Sequence, residues 1–114
     1  NGRVEIMADT SRSSGVLSAD AIIVKNACRL KSIHISANAA GPDVLTIAVW
    51  DSKDATTSGN TELSRTIVQL SQSPSNLELD MHGVLCREGL YLKITNSAGS
   101  PNAATFHHVS VEFN

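Results

Sequence analysis

The residues able to do chemistry in this chain are few and scattered: four histidines, two cysteines, one tryptophan, one tyrosine and a polar loop that opens on Asp51. The pair His107-His108 cannot hold one ion from a regular strand, because neighbouring side chains face opposite sides of a sheet. By parity His107 lies with Val109 and Val111 on the core face, and it reads as a hydrogen-bonded histidine at a strand end or at a subunit interface. His108 shares its parity with Glu112 and faces solvent. His34, between Ile33 and Ile35, points outward, and His82 precedes Gly83 at a strand end. Cys28 and Cys86 allow one disulfide in an oxidising compartment, but the reading favoured for a chain with ample apolar residues is a pair of buried free thiols. Arg87 follows Cys86, and a nearby cation can lower a thiol pKa; a structural buried cysteine is the preferred reading.

Asp51 and Glu62 have the first-to-twelfth spacing of an EF-hand loop. Lys53 and Ala55 then fall where ligands are required, Thr56 stands where the sharp turn needs glycine, and the flanks are strands, so that reading fails. Only a chance convergence of Asp51, Asp54, Ser58 and Asn60 would gather oxygens for an ion. No Gly-x-Ser-x-Gly elbow and no phosphate-cradling glycine loop occurs. No catalytic residue, metal ligand or cofactor is therefore assigned, and an enzyme is not expected. Three of Asp51, His82, His107 and Cys86 within hydrogen-bonding reach would revive one. Trp50 and Tyr91 fall on the strand face opposite the presumed core, where aromatics either stack on a sugar, anchor a protein interface or are covered by other parts of the chain.

The elements that position these residues are strands. The 114 residues suit one domain, and a hydrophobic share of 41% suffices for a core. Lys and Arg number nine against eleven acids, with no basic run, which argues against nucleic acid as a partner. The longest aliphatic stretch, Ala21 to Val24, is far short of the roughly 20 residues that cross a bilayer as a helix, and no charged-then-apolar signal segment opens the chain.

Period-two alternation predicts strands at Val4–Ile6, Ala21–Lys25, Cys28–Ala37, Val44–Asp51, Glu62–Leu70, Leu77–His82, Leu90–Thr95 and Ala104–Phe113. The apolar parity changes near Lys31 and Ser32, which predicts a β-bulge there. Leu45, Ile47 and Val49 make Val44–Asp51 the most apolar strand, expected near the middle of a sheet. The stretch Ala8 to Asp20, poor in apolar residues, reads as a loop or extended arm. The expected architecture is all-β: an antiparallel sandwich or jelly-roll-like domain of about eight strands over residues 21–114, preceded over residues 1–20 by a strand and a flexible arm.

Val44 to Asp51 with its polar loop, Asp80-Met-His-Gly83, Gly89-Leu-Tyr-Leu-Lys-Ile-Thr95 and the closing Val109-Ser-Val-Glu-Phe113 together resemble a pattern in small β-sandwich accessory virion proteins of tailed bacteriophages. The resemblance covers roughly Lys31 to Asn114. It implies a decoration or cement protein at the capsid surface, a homotrimer bound to the major capsid protein. Arg3, Arg12, Trp50, Tyr91 and His107 are the expected contact residues, with the arm ordered on a neighbouring subunit. The alternative from another class is a carbohydrate-binding module or a fibre or adhesin protein, with Trp50 and Tyr91 as the stacking platform for a glycan.

Overall fold

The computed structural model describes residues 11–37, 44–69, 75–96 and 107–114. Eight strands follow in chain order: β1 (Arg12–Ser13), β2 (Ala21–Val24), β3 (Cys28–Ala37), β4 (Val44–Asp51), β5 (Thr61–Gln69), β6 (Ser75–Cys86), β7 (Leu90–Asn96) and β8 (His107–Phe113). They form two antiparallel four-stranded sheets, ordered β1-β8-β3-β6 and β2-β7-β4-β5. The pairs β1·β8, β2·β7, β3·β6 and β4·β5 are those of one long antiparallel hairpin, and rolling that hairpin into two sheets gives the jelly roll.

Alternation puts one face of each strand inside. Leu30, Ile33, Ile35, Val109 and Val111 from the first sheet meet Leu45, Ile47, Val49, Val68, Leu90 and Leu92 from the second, all buried. Each such side chain contributes about 1.5–3 kcal/mol of burial energy. The expected bulge is present: on β3 the pairing steps from Leu30 to Ser32, skipping Lys31, against both β6 and β8. The extra residue lets Leu30 and Ile33 both face the core although their spacing is odd. β4 occupies an inner position between β7 and β5, as its apolar run requires.

One expectation needs correction. His82 does not end its strand; β6 runs on to Cys86 through a bulge in which His82 (φ 57°) and Gly83 (φ 72°) both take left-handed backbone. Between Asp80 and Val84, three residues of β6 oppose the single Lys31 of β3, and two consecutive positive-φ residues take up the excess. Asp80 Oδ1 accepts the His82 N–H at 2.8 Å, and Arg29 Nη1 donates to the Gly83 carbonyl at 3.1 Å, so the bulge is held from both strands.

The described part of the arm, residues 11–20, is fastened to β8 of the same chain. Leu17 and Val109 exchange backbone hydrogen bonds at 2.7 Å, Ser14 N–H donates to the Val111 carbonyl, and Val111 N–H donates to Ser14 Oγ. Backbone pairing plus one apolar anchor, Leu17, holds a segment whose composition reads as a loop. The expected strand Val4–Ile6 and the early part of the arm lie outside the described residues, as do the turns expected around Gly41, Pro74 and Gly99 and residues 104–106 of the expected last strand.

Candidate functional site

The densest polar construction lies where β4 ends. Asp51 is only 9% exposed, and its carboxylate accepts the backbone N–H groups of Arg87 (2.9 Å), Glu88 (2.8 Å) and Gly89 (3.3 Å), the turn between β6 and β7. Burial works against ionising Asp51, but the three N–H donors, with Arg87 nearby, outweigh it and hold the carboxyl below its ordinary range. Gly89 is required there because a Cβ would collide with the Val24 carbonyl oxygen and come within 3.0 Å of that of Ser52. Asp51 thus turns away from the loop it opens.

That loop is closed by its own bonds. Ser52, fully buried, donates from Oγ to the Asp54 carbonyl at 2.7 Å; Asp54 Oδ1 accepts the Thr56 N–H; and Asn60 Nδ2 donates to the Thr56 carbonyl at 2.8 Å. Hydrogen bonds from Thr56 lead the causes that lower the Asp54 pKa. Both Asp51 oxygens and Asp54 Oδ1 are therefore engaged by backbone N–H groups, and no group of three His, Cys, Asp or Glu suited to a metal occurs among the described residues.

Beside Asp51 stand both thiols. Cys28 and Cys86 are directly opposite across β3 and β6, and Cys86 Sγ donates to the Val84 carbonyl at 3.7 Å. Cys86 is fully buried; burial, with Cys28 and Asp51 close by, pushes its thiol up to about 12. Burial also raises Cys28. The activating effect weighed for Arg87 on Cys86 is overturned by this desolvation, so neither thiol is a poised nucleophile at neutral pH. His82 is exposed and leans towards Asp80, with Nδ1 3.5 Å from Oδ1, so it does not join Asp51 and Cys86.

Trp50 and Tyr91 are Cα partners across β4 and β7, both on the outer face of the second sheet as parity requires. Their exposure differs from what a stacking platform needs. Tyr91 is 5% exposed; Ile22 of β2 is its other cross-strand partner, and its hydroxyl lies 3.4 Å from Asp20 Oδ2. Asp20 Oδ1 also accepts the Ile94 N–H at 2.7 Å, so the end of the arm covers this part of the face. Trp50 is half-buried, and its Nε1 is buried with no hydrogen-bond partner among the described residues.

Arg12 is exposed on β1, opposite Phe113. Arg3 lies outside the described residues. His107 pairs with Ala37 through its backbone, while the expected position of its side chain falls outside what is described. His34 and His108 are exposed, as their parity predicts. A feature missed from sequence is the charged outer face of the first sheet, a recess of ≈340 Å3 lined by Lys31, Ser32, Glu78, Asp80 and Glu112. There Lys31 Nζ donates to Ser11 Oγ at 2.8 Å, Ser32 Oγ donates to Glu112 Oε1 at 3.0 Å, and hydrogen bonds from Ser11 and Ser32 lower the Glu112 pKa. Parity puts Ser32, Asp80 and Glu112 on that face, but only the register β8-β3-β6 sets them in one row.

Strand order and core together define the chain as a jelly-roll β-sandwich. Beyond that class, no family model, curated protein or solved structure matches it.

Proposed function

We propose that this chain is a non-enzymatic structural protein of a tailed bacteriophage particle, a decoration or cement protein that binds the major capsid protein as a homotrimer at the shell surface. The observation that carries this reading is where the polar chemistry goes. Asp51, Ser52 and Asp54 spend their oxygens on turns of the fold, and Cys86 is desolvated inside the core. Bonding capacity is left on the sheet edges, where β5 and β6 have a neighbour on one side only among the described strands. Such edges are ready to pair with another chain. Jelly rolls serve in viral capsids and in lectins, an analogy of fold that agrees with the resemblance in residues 31–114.

The reading is tested by mixing the purified chain with capsid shells of a tailed phage and sedimenting them, with size measurement of the free protein alongside. Stoichiometric binding to the shell and a trimer in solution are expected. A chain that stays in the supernatant and binds a glycan on an array would overturn the proposal in favour of the carbohydrate-binding alternative. The near-complete burial of Tyr91 weighs against that alternative's platform.

A further inference from the structure

Cys28 and Cys86 are far apart in sequence, yet the register sets them opposite one another at the end of the first sheet. Directly opposed residues in an antiparallel pair have Cα atoms about 4.5–5.5 Å apart, inside the roughly 4.4–6.8 Å that a disulfide spans. Opposed side chains also share a face, here the core face, where Cys28 packs against the cluster that holds Cys86. Both are free thiols in this structure.

We infer that Cys28 and Cys86 form a built disulfide site, a latch between β3 and β6 that closes when the chain meets a disulfide oxidant such as oxidised glutathione. Cys28, the half-exposed member, enters first: its thiolate attacks a glutathione sulfur, the glutathione S–S bond breaks, and one glutathione thiolate leaves and takes up a proton. Cys86 then loses its proton to solvent and attacks the Cys28 sulfur of the mixed disulfide, expelling the second glutathione. Two thiols are oxidised, one glutathione disulfide is reduced to two thiols, and two protons pass from the pair to glutathione.

The latch has a mechanical purpose in this fold. Among the described strands β6 is an edge strand held by β3 alone, and it is interrupted by the His82–Gly83 bulge, so Val84–Cys86 is separated from the rest of its ladder. A bond at Cys86 fastens that end beside the turn capped by Asp51. Raised thiol pKa values make both sulfurs poor leaving groups, which favours the closed form once made.

The test is to refold the whole chain from urea in glutathione redox buffer and read thiol content, intact mass and thermal midpoint. Expected are joint loss of both thiols, a mass lower by two hydrogens, a monomeric chain on denaturing non-reducing gels, and a midpoint raised by roughly 10 °C for a closed loop of this length, reversed by dithiothreitol. A Cys28→Ser chain should show no difference between oxidant and reductant. A lasting glutathione adduct on Cys28, disulfide-linked dimers, or closure without a rise in midpoint would overturn the inference.

Discussion

Trp50 and Asp51 are neighbours on β4 and meet opposite fates. One step along a strand turns the side chain to the other face. Asp51 is buried with three N–H groups aimed at its carboxylate, whereas Trp50 has a buried N–H that no described residue accepts. The contrast teaches that burial alone does not make a polar group stabilising. Asp51 is an asset because a turn of matching geometry was brought to it, and Trp50 Nε1 is a cost that its ring must offset by packing.

The sharpest way to break the comparison is at Gly89, which allows the turn to reach Asp51. Gly89→Ala places a Cβ against the Val24 carbonyl, and a loss of about 4 kcal/mol or failure to fold is expected; urea unfolding that matches the parent would refute the close approach. Next is Asp51→Ala, which strands the N–H groups of Arg87, Glu88 and Gly89 and should cost about 3 kcal/mol in the same assay.

The sign of the pH effect follows from the lowered Asp51 pKa. An unfolded Asp takes up a proton near pH 3.9, whereas folded Asp51 resists until lower pH. Its contribution is therefore complete above that unfolded value and is lost as pH falls through the depressed folded one. Asp54 and Glu112 are lowered too, so Asp51→Asn should flatten only part of the acid slope measured between pH 5 and 2. An unchanged slope would count against the cap.

For Trp50 the expected change has the opposite sign. Trp50→Phe removes the donor that no described residue accepts and should leave stability unchanged or raise it by about 1 kcal/mol; a loss as large as that of Asp51→Ala would reveal a partner for Nε1. His82→Gly relieves a left-handed non-glycine residue while keeping the backbone bond to Asp80, and a gain of about 0.5 kcal/mol in urea midpoint is expected. Smallest is Arg12→Glu: its side chain is exposed, so stability should stay within about 0.5 kcal/mol, while sedimentation with capsid shells should weaken if β1 takes part in docking.

The sequence by itself determined strands β2 to β8 and their faces, because period-two alternation is a local property, whereas β1 falls in the stretch that reads as a loop or arm. It also located the bulge at Lys31, where the apolar phase slips, and marked Trp50 and Tyr91 as outward. It misjudged His82-Gly83, since a two-residue kink inside a strand looks locally like the strand's end. It also missed the hold on Ser14 and Leu17, which comes from the backbone of β8 and leaves no trace in composition. Only the tertiary structure decided which distant residues meet: Asp51 with the turn at Arg87–Gly89, Cys28 with Cys86, and Ser32 with Glu112. Those meetings depend on how eight strands are ordered in two sheets, and strand order is fixed by the joint packing of the whole core, which no single segment encodes.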